Sequence, residues 1–232
     1  NDIDKLIHFV PDVIYHLGEY SRISTSFDDV EKLWQLNVDG TFQVLQFCIK
    51  HNIKLVYAGS SSIFGNNGKD QHLTPYSWAK AKMVELIKNY GDWYGLDYAI
   101  AYFYNIYGPR QITDGKYATV IGIFEEQFRS GEPITIVSPG TQKRYFTHVE
   151  DAVAGLIKVG ESGDGDGYCL CDEDSLFSIK EVAKMFSNDL VYLEEQKGNR
   201  KDPVIISDRC KTELGWRTKN KLTDYINKVK RI

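Results

Sequence analysis

The sequence predicts an α/β protein, a doubly wound parallel sheet with a smaller mixed α/β region packed against it. Three observations carry that prediction. Short apolar, β-branched runs at residues 12–17, 54–58 and 98–104 alternate with long amphipathic stretches. The connections between them are short, as strand–helix–strand units of a parallel sheet require. After Gly108-Pro109 the spacing changes to shorter elements, which reads as a second, mixed region.

Each element follows from its local pattern. Residues 12–17 (DVIYHL) form the first strand and read as buried on both faces. A helix over about residues 28–51 carries Val30, Leu33, Trp34, Val38, Thr41, Leu45 and Cys48 at three- and four-residue spacing, which gathers them into one stripe. The second strand, 54–58 (KLVYA), runs into a Gly-Ser-Ser-Ser turn. Thr74 then supplies an N-cap oxygen and Pro75 a first helical position, starting a helix that continues to about Tyr94. The third strand covers 98–104. Beyond Pro109, helices near 118–130, 151–159 and 179–186 alternate with strands at 134–137, 168–171 and 190–193. The Gly-Asp-Gly-Asp-Gly run at 163–167 has the composition of a calcium loop but lacks its bidentate Glu, and reads as a solvated turn.

Composition excludes several classes. The 232 residues are 42% hydrophobic and 26% charged, ordinary for a globular chain and unlike a disordered or collagen-like one. A net charge of −4 is unsuited to general nucleic-acid binding, which needs clustered cations, and the Lys228, Lys230, Arg231 group reads as a solvated helix end. No run approaches the ~18 apolar residues of a membrane span, and acidic residues stand where a signal peptide's apolar segment would begin. Cys48, Cys169, Cys171 and Cys210 match neither a redox nor a zinc spacing, so reduced core thiols in a cytoplasmic protein are the reading, with Cys169 and Cys171 on one face of a strand. The five histidines form no ligand cluster, so no metal is expected. No Gly-x-Ser-x-Gly elbow is present, which argues against a serine hydrolase.

Chemistry concentrates around Tyr76 and Lys80. Their i, i+4 spacing at the start of a helix puts phenol and ammonium on one face. A phenol with its ordinary value near 10 is a poor base at neutral pH, and bringing it to about 7 takes roughly 4 kcal/mol of preferential phenolate stabilisation. A neighbouring cation supplies much of that. With 15 tyrosines in the chain, a Tyr-x-x-x-Lys match is weak by itself. Its context is stronger: Ser60, Ser61 and Ser62 follow a buried strand at its C-terminal end, where parallel sheets hold ligands, and the Tyr/Lys helix follows that turn. A hydroxyl and an activated phenol meeting there form an alcohol-oxidising constellation, in which Tyr takes the proton and a nicotinamide takes the hydrogen with its electron pair.

Seven segments in order resemble the extended short-chain dehydrogenase/reductases, in particular the NAD-dependent sugar-nucleotide epimerases and dehydratases of UDP-glucose 4-epimerase type. PDVIYHLGEYS (11–21) is similar to the family's P-D-V-V-x-H-L-A-A-x-S strand, Asn37-Val38-Asp39-Gly40-Thr41 to its N-x-x-G-T helix, and GSSSIFG (59–65) to its S-S-S-x-x-Y-G turn. YSWAK (76–80) resembles the catalytic Tyr/Lys pair, NIYGPRQ (105–111) the N-x-Y-G-P-R segment, GTQKRYFTHVEDAV (140–153) the G-x-Q-x-R-D-F-x-H-V-x-D segment, and DRCKTELGWR (208–217) the late D-x-x-K-x-x-x-L-G-W signature.

The resemblance implies a Rossmann-like NAD-binding part over 1–108 and a mainly nucleotide-sugar-binding part over 109–232, with segments returning to the sheet. It implies Tyr76 as base, Lys80 as the residue that activates it and binds the nicotinamide ribose, and Ser60 as the catalytic hydroxyl. Leu17, Gly18, Asn37, Tyr104 and Ile106 match positions lining the cofactor. Asn105 matches a sugar-nucleotide contact, and Arg144 and Arg200 match diphosphate-binding arginines, for which a planar charged fork is suited. Val120 and Phe124 stay open between a place beside the nucleotide base and ordinary helix core. The implied cofactor is NAD, the implied partner a nucleotide sugar, and the implied assembly a homodimer.

Some places depart from the pattern. The family opens on a G-x-x-G-x-x-G loop whose backbone approaches the dinucleotide pyrophosphate, and nothing here supplies it. The chain is therefore expected to be part of a longer protein, or else a natural truncation that has lost cofactor capture. As written it is expected not to hold NAD, and its first strand is expected to lack a neighbour on one side. Tyr145 stands where the family has Asp, and the segment between Gly65 and Thr74 is short. Ser61 and Ser62 stand where the dehydratases carry an Asp-Glu pair, which disfavours dehydration. Epimerisation at C4 of a UDP-sugar is the expected reaction; a 4-keto reductase, a dehydratase or a silent sugar-nucleotide binder are the alternatives.

Overall fold

The computed structural model describes residues 9–198 and 202–231, the Asn67 side chain excepted. Its strands are β1 (Val13–His16), β2 (Lys54–Ser60), β3 (Tyr98–Phe103), β4 (Ile106–Tyr107), β5 (Ile134–Val137), β6 (Lys143–Tyr145), β7 (Thr147–His148), β8 (Gly165–Leu170), β9 (Leu176–Ser178) and β10 (Leu190–Leu193). Its α-helices are α1 (Val30–Leu33), α2 (Gly40–His51), α3 (Pro75–Tyr94), α4 (Val120–Arg129), α5 (Val149–Ser162), α6 (Ile179–Phe186), α7 (Arg209–Thr212) and α8 (Leu222–Val229).

The main sheet runs β1-β2-β3-β8, all parallel. Period-two alternation sorts its side chains to two cores. Leu55, Tyr57, Ile100 and Tyr102 face a core completed by Leu45 of α2 and Ile87 of α3. Val56, Ala99 and Ala101 face the other, completed by Leu156 and Val159 of α5 and by Trp216. Helices thus cover both faces, the doubly wound arrangement expected.

α3 begins where the sequence says. The Thr74 hydroxyl accepts the Ser77 N–H at 3.0 Å, Pro75 occupies the first turn, and Gly95 closes the helix at φ 69°, a left-handed conformation that glycine adopts without a Cβ penalty. The expected single helix over 28–51 is instead α1, a π-helical stretch at Trp34–Asp39, and α2. The wider π turn coincides with Asn37 turning fully inward, where its amide holds both backbone groups of Tyr20.

Two further expectations are corrected. The first strand is not buried on both faces: it pairs only with β2 among the described residues, Val13 and Ile14 are half-buried, and Tyr15 is 38% exposed. The 163–167 run is not simply a turn, because Gly165 starts β8. Asp166 is held there by the Tyr102 hydroxyl at 2.7 Å and the Lys88 ammonium at 3.2 Å, and the register against β3 shifts between Ala99 and Ala101. The four cysteines are free and buried, with Cys169 and Cys171 in the same core as read from their alternation.

A second core lies beyond β3. Parallel strands β5 and β10 pack with α4, α6 and α8 around Phe124, Ile134, Ile136, Phe146, Val182 and Phe186. β4 pairs with β7, and β6 with β9 in antiparallel fashion. These small sheets bring Asn105, Ile106 and Arg144 towards the C-terminal ends of the main sheet. Among the described residues, no helix is long and apolar enough to cross a membrane.

Candidate active site

The C-terminal ends of β1 and β2 open into a cavity of about 880 Å³, roofed by α4, β5 and the 115–119 loop. Its wall includes Ser60, Tyr76, Lys80, Leu17, Asn105, Ile106 and Arg144, so seven of the sequence-derived candidates meet at one place. The topology explains this convergence. β2 delivers Ser60 at its last residue, and the first two turns of α3 deliver Tyr76 and Lys80 from directly above it.

Ser60 extends as the cap of a short 3₁₀ turn, Ser61–Ile63. Its hydroxyl donates to Ser62 Oγ at 2.9 Å and accepts the Ser62 N–H at 3.2 Å. Tyr76 is 7% exposed, with Tyr20, Leu33 and Ala79 packed about its ring. Lys80 is 4% exposed, an unusual state for an ammonium and one that requires partners. It donates to the Ala58 carbonyl at 2.6 Å, forms an ion pair with Glu19, and lies 4.8 Å from the Tyr57 ring centroid.

Asn105 has φ 37°, a left-handed conformation in which Asn is among the better-tolerated side chains. Its amide donates to the Tyr145 carbonyl at 2.8 Å, fixing it between β3 and β6. Arg144 donates to the neighbouring Lys143 carbonyl at 2.7 Å from a strand paired with β9. Val120 and Phe124 both line the cavity, and Phe124 is also a member of the second core, so its two readings are not exclusive.

Three expected cofactor residues are not in the cavity wall. Asn37 spends its amide on the Tyr20 backbone, at 2.7 and 3.0 Å, and so shapes the loop after β1 instead of facing the cavity. Tyr104 is fully buried, and its hydroxyl is tied to the Val204 carbonyl at 2.8 Å. A Cβ on Gly18 would meet nothing within 4 Å, so no close approach within the protein demands glycine there. Arg200 lies outside the described residues.

Sequence reasoning missed Glu19 and Arg22. Both follow β1 and line the cavity. Glu19 stands where the family pattern has its second Ala after His-Leu, and that departure was the available signal. The Arg22 Nε is buried and has no hydrogen-bond partner among the described residues. Burial pushes the Arg22 guanidinium below its ordinary value, and the neighbouring Tyr76, Tyr20 and Tyr117 act in the opposite direction. Glu19 is the only acid in the described wall, against Arg22, Lys80, Lys116, Arg144 and Lys197. Such an excess of cations favours an anionic ligand.

Comparison with known proteins agrees with this geometry. Residues 1–169 match the NAD dependent epimerase/dehydratase family. A UDP-N-acetyl-alpha-D-glucosaminuronate decarboxylase from Bacillus cytotoxicus is 33% identical over 75% of this chain and 57% of its own length. A putative UDP-glucose 4-epimerase from Methanocaldococcus jannaschii is 29% identical over 98% of this chain and 79% of its own. The chain therefore spans little more than half of the first of these relatives. The structure of the Thermotoga maritima UDP-glucose 4-epimerase with UDP-glucose superposes with a TM-score of 0.87 at 24% identity, over 97% of this chain and 77% of that one, which is a likeness of fold. From the length of the family match, and with Ser60 on β2 meeting Tyr76 and Lys80 on α3, the chain belongs to the NAD-dependent epimerase/dehydratase family, whose cofactor is NAD.

Proposed function

We propose that the protein epimerises a nucleotide sugar at C4, with a UDP-sugar as the substrate class. The observation that carries the reading is the meeting of Ser60, Tyr76 and buried Lys80 at strand ends, inside a cavity whose described charged residues are cations but for Glu19. The residues present fit the nicotinamide end of the cofactor. Lys80 keeps one N–H beyond its bonds to Ala58 and Glu19, and Leu17 and Ile106 offer apolar surface beside it. When bound there, NAD would accept the C4 hydrogen with its electron pair and later return it.

The protein's own groups do the rest. Tyr76 takes the C4 hydroxyl proton as general base and gives it back to the same oxygen once the 4-keto sugar has turned and the hydrogen has been returned to the opposite face of C4. Lys80 favours the phenolate by its charge. Ser60 orients the reacting oxygen. Arg144 and the Arg22 guanidinium answer the diphosphate and sugar end with charge-assisted hydrogen bonds, and Asn105 holds the sugar nucleotide from the turn between β3 and β4. Arg200 is assigned to the same diphosphate group on its motif. Residues 1–108 serve mainly the cofactor and 109–232 mainly the nucleotide sugar.

Decarboxylation of a nucleotide uronic acid is a second reading, favoured by the 33% identity to a decarboxylase, and it shares the C4 oxidation. Nuclear magnetic resonance of a UDP-glucose, UDP-N-acetylglucosamine and UDP-glucuronic acid panel, incubated with the intact protein and NAD, separates these. A C4 epimer supports the first reading, release of carbon dioxide the second, and an unchanged panel contradicts both. We further propose a homodimer through the outer face of the π-helical stretch, α2 and α3, where Trp34 and Trp78 stack with ring centroids 6.0 Å apart, both exposed, and Phe42 of α2 is exposed too. Sedimentation of the intact protein as a monomer would contradict it.

A further inference from the structure

Glu19 is a buried carboxylate that the reaction above does not use. Its side chain is 3% exposed and receives hydrogen bonds from three elements. Thr41 of α2 donates to Oε1 at 3.0 Å, Tyr57 of β2 donates to the same oxygen at 3.0 Å, and the Lys80 ammonium of α3 pairs with Oε2. Thr41 is itself held at 3.0 Å by the His16 ring of β1. Every neighbour that fixes Lys80 — Glu19, the Ala58 carbonyl and the Tyr57 ring — comes from outside its own helix.

A buried ion pair is a poor source of stability, because desolvation of both charges opposes their attraction. It is a strong determinant of position and of local potential. We infer that Glu19 is a positioning residue: it anchors the Lys80 ammonium at the end of β2 and sets how strongly that charge acts on the Tyr76 phenol.

The sign follows from the charges that face the pair. Lys80 on α3 and Arg22 after β1 are the cations, and both favour phenolate. Glu19 is the anion and opposes it. The Tyr57 phenol on β2 is pushed far up by burial first and by Glu19 second, the Tyr20 phenol is raised chiefly by burial, and the Tyr117 ring stands edge-on to Tyr20. His16 on β1 is held low, chiefly by burial, and so adds no charge at neutral pH. Glu19 therefore partly cancels the field of Lys80 at Tyr76. Removing its charge while keeping its shape leaves the ammonium bonded to Ala58 and to an amide oxygen, with its field on the phenol less compensated.

The test is an ultraviolet titration of the phenolate band in the intact protein. The Tyr76 signal is isolated as the difference between each protein and its Tyr76→Phe counterpart. In Glu19→Gln the Tyr76 transition moves to lower pH by roughly one unit, the scale of a single nearby charge. Glu19→Asp, which keeps the charge, leaves the transition near its wild-type position. Should Glu19→Gln fold poorly, Glu19→Ala removes the same charge without bulk and moves the transition in the same direction. A transition that stays in place or rises in the charge-removing variants overturns the inference. It rests on the Tyr76/Lys80 assignment, yet the titration needs neither substrate nor cofactor. A nucleotide-sugar panel left unchanged would sink the proposed function while this shift still stood.

Discussion

The main sheet and the second core hold the same cavity by different means. On the sheet side, Ser60, Tyr76 and Lys80 sit on the last residue of a strand and the first turns of a capped twenty-residue helix. On the other side, Asn105, Arg144 and the loop at 115–119 sit on two- and three-residue strands and turns, backed by the second core. Groups that move protons need sub-ångström placement, which rigid elements supply. Groups that grip a flexible diphosphate tolerate more give. On the proposed roles, the reacting end rests on the long elements and the gripping end on the short ones.

That comparison can be broken by weakening one side at a time. Phe186→Ala empties a fully packed place in the second core, where Phe124 and Phe128 lie edge-on or tilted against it. The expected cost is about 3–5 kcal/mol in urea unfolding, with the circular-dichroism signature of the sheet the last to be lost. A loss below about 1 kcal/mol would mean the second core does not support the roof. Arg144→Ala acts on the gripping side alone. It should weaken UDP by about 10- to 100-fold in calorimetric titration, the scale of a charged hydrogen bond, while leaving overall stability nearly unchanged. Unaltered UDP affinity would remove Arg144 from the anion site.

The smallest effect belongs to the thiols of the sheet side. Burial pushes Cys48 and Cys210 up to about 12. The unfolded chain releases those protons near the ordinary thiol value of about 8.5, whereas the folded one keeps them, so stability is full below that value and falls as pH rises towards about 12. Unfolding midpoints taken at pH 8 and pH 10 should decline, less so in a Cys48→Ala variant. Equal declines in the two proteins would show that Cys48 does not titrate differently on folding.

Among the long elements, α3 was the most legible. Thr74-Pro75 announced α3 to the residue, and alternation placed Cys169 and Cys171 in one core. Tyr76 and Lys80 were readable because helical spacing alone fixes their common face. Asn37 and Tyr104 match cofactor-lining positions of the family, and what that match does not announce is that their side chains are held by the Tyr20 backbone and the Val204 carbonyl, contacts 17 and 100 residues away. Glu19 was illegible for a related reason. Its partners Thr41, Tyr57 and Lys80 come from three separate elements, and no local pattern announces a carboxylate buried among them.

The central claim is that Tyr76 is the acid/base of nucleotide-sugar turnover, and Tyr76→Phe tests it most directly. The ring's packing against Tyr20, Leu33 and Ala79 survives the change, and only the proton-transferring oxygen is lost. In the intact protein with NAD, steady-state formation of the C4 epimer should fall by about 10²- to 10⁴-fold while UDP-sugar affinity stays close to wild type. A variant that keeps more than about a tenth of the wild-type rate would contradict the assignment.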